Sequence, residues 1–270
     1  MEPQETFQKE IKKQIEALGQ DRDMLDLTRI WIRDTLKHKY SYHFSWLSRP
    51  VIQYPQDIAA LQELIWRVRP DLILETGIAH GGSLILSASM LALLDYCDAV
   101  ELRQTLNPAS TKRHVLGIDI DIRSHNRQAI EQHPLAHHIH MLEGSSISSF
   151  IVEKVYEISK NYQKIMVILD SNHTHDHVLA ELEAYAPLAS QGSYCIVFDT
   201  VIEDLPAEQY PDRPWGIGNN PKTAVWEYLR RLKEEGRQAK DGAPLRFEID
   251  KEIEHKLLIT VAPDGYLKRT

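Results

Sequence analysis

From Leu72 onward, short apolar runs alternate with longer segments of helical periodicity. LILETG (72–77) is an apolar run ending in a carboxylate and a glycine, and GGSLILSASMLALLDYC (81–97) follows with helical length and good helix formers. HVLGIDID (114–121) is a second strand, then SHNRQAIEQ (124–132) a helix opened by a Ser124 cap. HIHMLEGSS (138–146) is a third strand, with a helix to about Lys160; KIMVILDSN (164–172) is a fourth, with a helix over 178–189; SYCIVFDT (193–200) is a fifth. Apolar runs spaced by helices of this size predict βαβ units, a parallel sheet and helices on both of its faces. After a helix over 221–236, LRFEID (245–250) and HKLLITVA (255–262) are two strand candidates separated only by KEIE, too short for a helical crossover. That spacing predicts an antiparallel hairpin.

The first 70 residues read as a helical preamble. YSYHFSWLSRPVIQYPQD (40–57) is aromatic and broken by proline, and is expected to be irregular, either a packed surface loop or a lid over a ligand. DLPAEQYPDRPWGIGNNP (204–221) is a second long loop, and loops of this length inside a domain are often functional.

Composition narrows the class without naming it. At 270 residues, 43% hydrophobic and 26% charged, the chain is that of an ordinary globular protein. A formal net charge of −8 argues against a nucleic-acid partner, which would require concentrated Lys and Arg. No apolar run is expected to reach a membrane span, and the polar N-terminus lacks a signal-peptide core, so a cytoplasmic setting is expected. Cys97 and Cys195 stand apart, with neither a disulfide framework nor a cysteine zinc motif. Oligomeric state is not written in the sequence, although the N-terminal helices could pair subunits.

In an open α/β sheet the ligand binds at the carboxyl ends of the strands. There the first strand turns through ETGIAHGGS (75–83), where Gly77, Gly81 and Gly82 would let backbone approach a ligand at the start of a helix that includes Ser83. A dinucleotide fingerprint fits poorly: Ala79 stands at its middle glycine, and Asp119 lies far beyond the roughly 20 residues at which its ribose acid is expected. S-adenosylmethionine fits better. Glu75, two residues before Gly77, can accept from the cofactor's amino group; Asp119 is placed for the ribose hydroxyls, and Ser145 or Ser146 for the adenine edge.

DSNHTHDH (170–177) packs two carboxylates and three imidazoles into eight residues. His173 and His177 have the i, i+4 spacing of a zinc hydrolase, but the apolar strand runs up to Asp170, leaving His173 in a turn, and no Glu follows it. His175, Asp176 and His177 read as the start of the next helix, where a first-turn acid is stabilising. The cluster HPLAHHIH (133–140) is better explained as a loop than as a source of a further ligand.

Taken together, PDLILETGIAHGGSLI, GIDIDIR, EGSS, LDSNHTHDHVLAELEAYAPL and FEID…LLITVAPDGYLKR, flanked by SRPVIQYPQDI and PWGIGNNPKTAV, resemble the cephalosporin hydroxylase / rhamnosyl O-methyltransferase family. The resemblance implies a Rossmann-like class I methyltransferase over 71–270, its mostly parallel sheet of seven strands ending in the antiparallel hairpin, with 1–70 as a helical extension and lid. It further implies S-adenosylmethionine as cofactor, with Asp170 among the residues around it, a divalent metal (usually Mg²⁺), and methylation of a hydroxyl on a sugar or natural product. Iron-oxygenase chemistry has no facial triad here. By the same resemblance the metal falls to Asp170 and Asp199, and the general base to His173. The family has an acid immediately before the strand-five Asp, where this chain has Phe198; Thr200, Glu203 or Asp204 could stand in. A metal-free transferase and a non-catalytic binder that keeps the cofactor cleft therefore stay open. The aromatic residues of the two long loops, Tyr42, Trp46, Tyr54, Tyr210 and Trp215, suit stacking against an acceptor ring.

Overall fold

The computed structural model describes residues 3–270. Two helices open the chain, α1 (Pro3–Leu18) and α2 (Arg22–Lys37), the second capped by Asp21, whose side chain accepts from Met24 N. The Pro-broken stretch forms a 3₁₀ turn and a two-residue hairpin, β1 (Ser45–Trp46) and β2 (Arg49–Pro50). Helix α3 (Pro55–Val68) then starts on proline, whose missing N–H would be unpaired there in any case.

The alternating region follows: β3 (Leu72–Thr76), α4 (Gly82–Glu101), β4 (His114–Asp119), α5 (Ser124–Glu131), β5 (Ile139–Glu143), α6 (Ser149–Ser159), β6 (Ile165–Leu169), α7 (His175–Tyr185) and β7 (Tyr194–Val197). Ser124 is the first residue of α5 and not its cap; Arg123 occupies the cap position without a side-chain bond. Helix α8 (Pro221–Glu235) is closed into a capping box by Asn220 and Thr223 and stopped by Gly236 at φ +62°.

The C-terminal antiparallel pair is present as expected, but its second strand lies later in the chain. β8 (Phe247–Ile249) lies within LRFEID, but KEIEHKL forms α9 (Lys251–Leu257), and the last strand is β9 (Tyr266–Arg269). Asp250 makes the difference, since its carboxylate accepts from Ile253 N and caps a helix just where a turn was expected. Residues 258–262 of the supposed strand run as a loop, starting from Leu258 at φ +56°.

The sheet has seven strands in the order β5-β4-β3-β6-β7-β9-β8, with β5 to β7 parallel and β9 antiparallel to both of its neighbours. Alternate residues of the central strands enter two cores. Ile73, Val115, Met166 and Ile196 face α3 and α4, whereas Leu74, Leu116, Val167 and Val197 face α6, α7 and α8. Both faces being covered, β3 and β6 read as unbroken apolar runs. Helix α4 is, by length and composition, apolar enough to cross a membrane, contrary to the expectation that no run reaches that length. Leu84, Ile85, Leu91 and Leu94 are fully buried, as in the core helix of a folded domain.

A buried acid ties the first third of the chain to the last. Asp57 of α3 accepts from Thr260 Oγ1, from Val261 N at 3.0 Å and from Tyr266 OH at 2.7 Å. Burial pushes its carboxyl up to about 6, against the pull of those three donors. Asp57→Ala strands three donors and is expected to lose about 3 kcal/mol in urea unfolding at pH 7.5; a loss under about 1 kcal/mol would mean that the tie does not stabilise the fold.

Candidate active site

A cavity of about 360 Å³ opens over the carboxyl ends of β3, β6 and β7. The β3–α4 turn lines one side of it, and Asp170, His173 and Asp199 form its floor. Tyr42 from the N-terminal segment and Tyr210, Arg213 and Trp215 from the loop after β7 form the far wall. The neighbours of β3 are β4 on one side and β6 on the other, so the cavity sits at the switch point of the sheet, where open α/β sheets bind their ligands.

The glycines of the turn answer to protein neighbours. A Cβ on Gly77 would fall inside the carbonyl of Asp170, one on Gly82 inside the carbonyl of Pro50, and one on Gly81 against Ile130. Gly77 and Gly81 also have φ of +89° and +80°. The turn is therefore clamped between the end of β6 and the arm that follows β2. Asp119 clamps it from a third side, its Oδ2 accepting from Ile78 N at 2.8 Å and Ala79 N at 3.2 Å.

Three acids converge beneath this turn. Glu75 is 1% exposed, and burial raises its carboxyl to about 7 against hydrogen bonds from Ser83 and Ser87. Asp170 is held well above the usual carboxylate range by burial first, then by the charges of Asp199, Glu75 and Glu181; a hydrogen bond from Gln53 Nε2 at 3.1 Å pulls the other way. Asp199 takes the left-handed conformation (φ +56°) and turns the chain out of β7. Its Oδ2 lies 3.2 Å from His173 Nε2, and the His173 ring meets Trp215 edge-on at 4.8 Å.

Of the residues singled out in the sequence, Gly77, Gly82, Ser83, Asp170, His173 and Asp199 line this cavity. Glu75, Gly81, Asp119, Ser145 and Ser146 are not among its lining residues, and Ser146 is buried with its hydroxyl 3.1 Å from His177 Nε2. DSNHTHDH divides as expected: α7 begins at His175, whose Nδ1 meets Thr223 Oγ1 at 2.8 Å, and His177 turns away from Asp170 toward Ser146 and Ser171. Tyr42, Tyr210 and Trp215 reach the cavity. Tyr54 is buried in an aromatic cluster with Trp31 and Tyr40, and Trp46 donates to Ser89 on α4.

The substitutes suggested for the acid missing at 198 are all engaged elsewhere. Thr200 Oγ1 donates to Pro263 O at 2.6 Å, Glu203 accepts from Gly218 N and Asn220 Nδ2, and Asp204 pairs with Lys222 at 2.6 Å. Phe198 is buried in the core against Tyr266. Gln53, which lies in the flanking stretch SRPVIQYPQDI but received no role from the sequence, lines the cavity and touches Asp170.

The donor set suits a hard cation. Asp170, His173 and Asp199 are the one group of three or more His, Cys, Asp or Glu among the described residues with ligand atoms within 4.8 Å of one another. Two carboxylates this close repel, and a cation relieves the repulsion that raises Asp170. A methyl-donor cofactor would sit in the same cavity against the turn at 77–83.

Residues 38–270 match the family model Rhamnosyl O-methyltransferase/CmcI. A rhamnosyl O-methyltransferase of Mycobacterium tuberculosis (strain ATCC 25618 / H37Rv) is 29% identical over 214 residues, 79% of this chain and 73% of that protein. One from Mycobacterium leprae (strain TN) is 26% identical over 226 residues, 83% and 82% respectively. Among solved structures, a CmcI structure with Mg and SAM superposes with a TM-score of 0.51 at 16% identity, covering 85% of this chain and 77% of that one, and so shares the fold.

Glu75 carries a pH prediction. The fold keeps this proton up to about pH 7, while the unfolded chain releases it near the ordinary value of 4.5, so stability falls as pH rises through that window. Glu75→Gln removes the buried charge. Ligand-free, it is expected to match the wild type near pH 5 and to be more stable at pH 8 by up to roughly 3 kcal/mol. Parallel pH profiles of the two proteins in thermal unfolding would refute the assignment.

Proposed function

The chain belongs to the Rhamnosyl O-methyltransferase/CmcI family, and from that premise we propose that the cleft above β3, β6 and β7 methylates a hydroxyl on a sugar ring or sugar-bearing natural product. It is an S-adenosylmethionine-dependent O-methyltransferase. The observation that carries the reading is the convergence of Asp170, His173 and Asp199 on one cavity at the switch point of the sheet.

S-adenosylmethionine supplies a methyl carbon on a positively charged sulfur, open to in-line displacement. Asp170 and Asp199 would hold Mg²⁺, which would supply charge that lowers the pKa of an alcohol. The rest falls to the protein. The clamped turn at 77–83 fixes where the cationic end of the cofactor lies, and Glu75, buried outside the cavity lining, would support that end by its charge without touching it. His173 takes the proton that the acceptor hydroxyl gives up. Asp199 Oδ2, 3.2 Å from Nε2, orients the ring and stabilises the imidazolium that forms. Trp215 braces the ring from its edge. Tyr42, Tyr210 and Trp215, the last with Arg213 stacked on it at 5.1 Å, offer apolar faces suited to a pyranose. Holding the hydroxyl in line with the methyl carbon supplies much of the acceleration, because it replaces a bimolecular encounter.

A metal-independent version has its own support in Phe198, which removes one acid from the floor and packs into the core instead. The two versions part on EDTA. With a panel of rhamnosides and other glycosides as acceptors and S-adenosylhomocysteine release as the readout, turnover is expected to vanish in EDTA and to return with Mg²⁺. Turnover indifferent to EDTA supports the metal-free version, and no binding of S-adenosylmethionine under any condition refutes both. His173→Ala is expected to lower kcat by about 10²- to 10⁴-fold with cofactor affinity nearly unchanged; a full rate would remove His173 from the mechanism.

A further inference from the structure

We propose that Gln53 supplies, through its side-chain carbonyl, the third protein oxygen of the cation site, in place of the acid absent at position 198. The inference rests on the Mg²⁺ reading above and adds a ligand to it.

Gln53 is 3% exposed and lines the cavity together with Asp170, His173 and Asp199. Its Nε2 holds Asp170 Oδ2 at 3.1 Å, while its Oε1 is buried with no hydrogen-bond partner. A buried amide oxygen without a donor is uncommon and calls for an explanation. An amide carbonyl is a hard, neutral oxygen of the type that Mg²⁺ and Ca²⁺ accept. With metal–oxygen bonds of 2.0–2.1 Å, neighbouring oxygens on an octahedron lie about 3 Å apart, the spacing already present between the amide end and Asp170 Oδ2. A half-turn about the last side-chain bond brings Oε1 into a ligand's place with no movement of backbone. Oε1 has no partner to lose in that turn, and the bond that Nε2 gives up to Asp170 Oδ2 would be replaced by the shared cation.

The backbone under Gln53 is firmly placed. Gly82 leaves no gap between the start of α4 and the carbonyl of Pro50, and Val51 N donates to Phe44 O. Arg49 reaches across to the carbonyl of His80 and to Asn126 Oδ1. The amide is thus delivered to Asp170 from 117 positions earlier in the chain by an arm pinned at three points. Beyond Asp199 itself, the side chains that follow β7 are committed elsewhere: Thr200, Glu203 and Asp204 are engaged with other partners and Phe198 faces the core.

The test reads metal directly, with Mn²⁺ as the probe. Full-length protein labelled with [δ-¹³C]glutamine is loaded with Mn²⁺ and measured by electron–nuclear double resonance, alongside an EPR titration of affinity. A ligating carbonyl places its carbon about 3 Å from the ion, so a strong ¹³C coupling is expected in the wild type and not in Gln53→Met. That variant is expected to bind Mn²⁺ at least about tenfold more weakly. Gln53→Glu, which keeps an oxygen in place, guards against a folding defect and is expected to bind Mn²⁺ more tightly. Wild-type protein that binds Mn²⁺ without the coupling, or with the affinity of Gln53→Met, overturns the role of Gln53 and leaves the metal reading intact. Wild-type protein that binds no Mn²⁺ overturns both.

Discussion

Three carboxylates crowd the carboxyl ends of two adjacent strands and the turn beyond a third, and this crowding dictates the rest of the site. Glu75 is the last residue but one of β3, Asp170 follows β6 and Asp199 comes just beyond β7. The parallel register brings them together, with Asp170 N donating to Thr76 O and Phe198 N to Leu169 O at 3.0 Å each. Burial makes such a group of anions unfavourable, and each can be relieved by positive charge. A sulfonium cofactor with a cationic amino group and a divalent ion are two such sources, so an arrangement that weakens the empty protein favours the ligands of methyl transfer.

Scaffolding around this point uses contacts remote in sequence. The turn at 77–83 is gripped by the end of β6, by Asp119 from β4 and by the arm after β2. Asp57 ties α3 to the last loop and to β9, so the N-terminal helices and the C-terminal strand are joined behind the cavity. Catalytic geometry tolerates little displacement, and each grip holds one side of the floor against the others.

The parallel half of the fold was legible because its strands are buried on both faces and announce themselves as apolar runs. At the C-terminus the antiparallel pair was legible, but not the place of its second strand. HKLLITVA has the apolar content of a strand, yet Asp250 caps a helix before it and the polar YLKR after the PDG turn makes the sheet pairings. In the site, Asp170, His173 and Asp199 were legible because they follow strand ends, where position alone implies the cleft. Asp119 was legible in place, although its carboxylate binds the turn's amides. Gln53 lies in a stretch that carries the resemblance, but a lone glutamine in PVIQYP belongs to no spacing rule and so received no role. Only the path of the chain reveals its neighbour, and an orphaned carbonyl is a property of three dimensions.

The central claim is that a cation sits between Asp170 and Asp199 when the cofactor site is filled. Crystals grown with Mn²⁺ and S-adenosylhomocysteine, measured at the manganese absorption edge, test it most directly. The account predicts one anomalous peak within bonding distance of both carboxylates. A map with no peak there, or with its peak at another site, would contradict it.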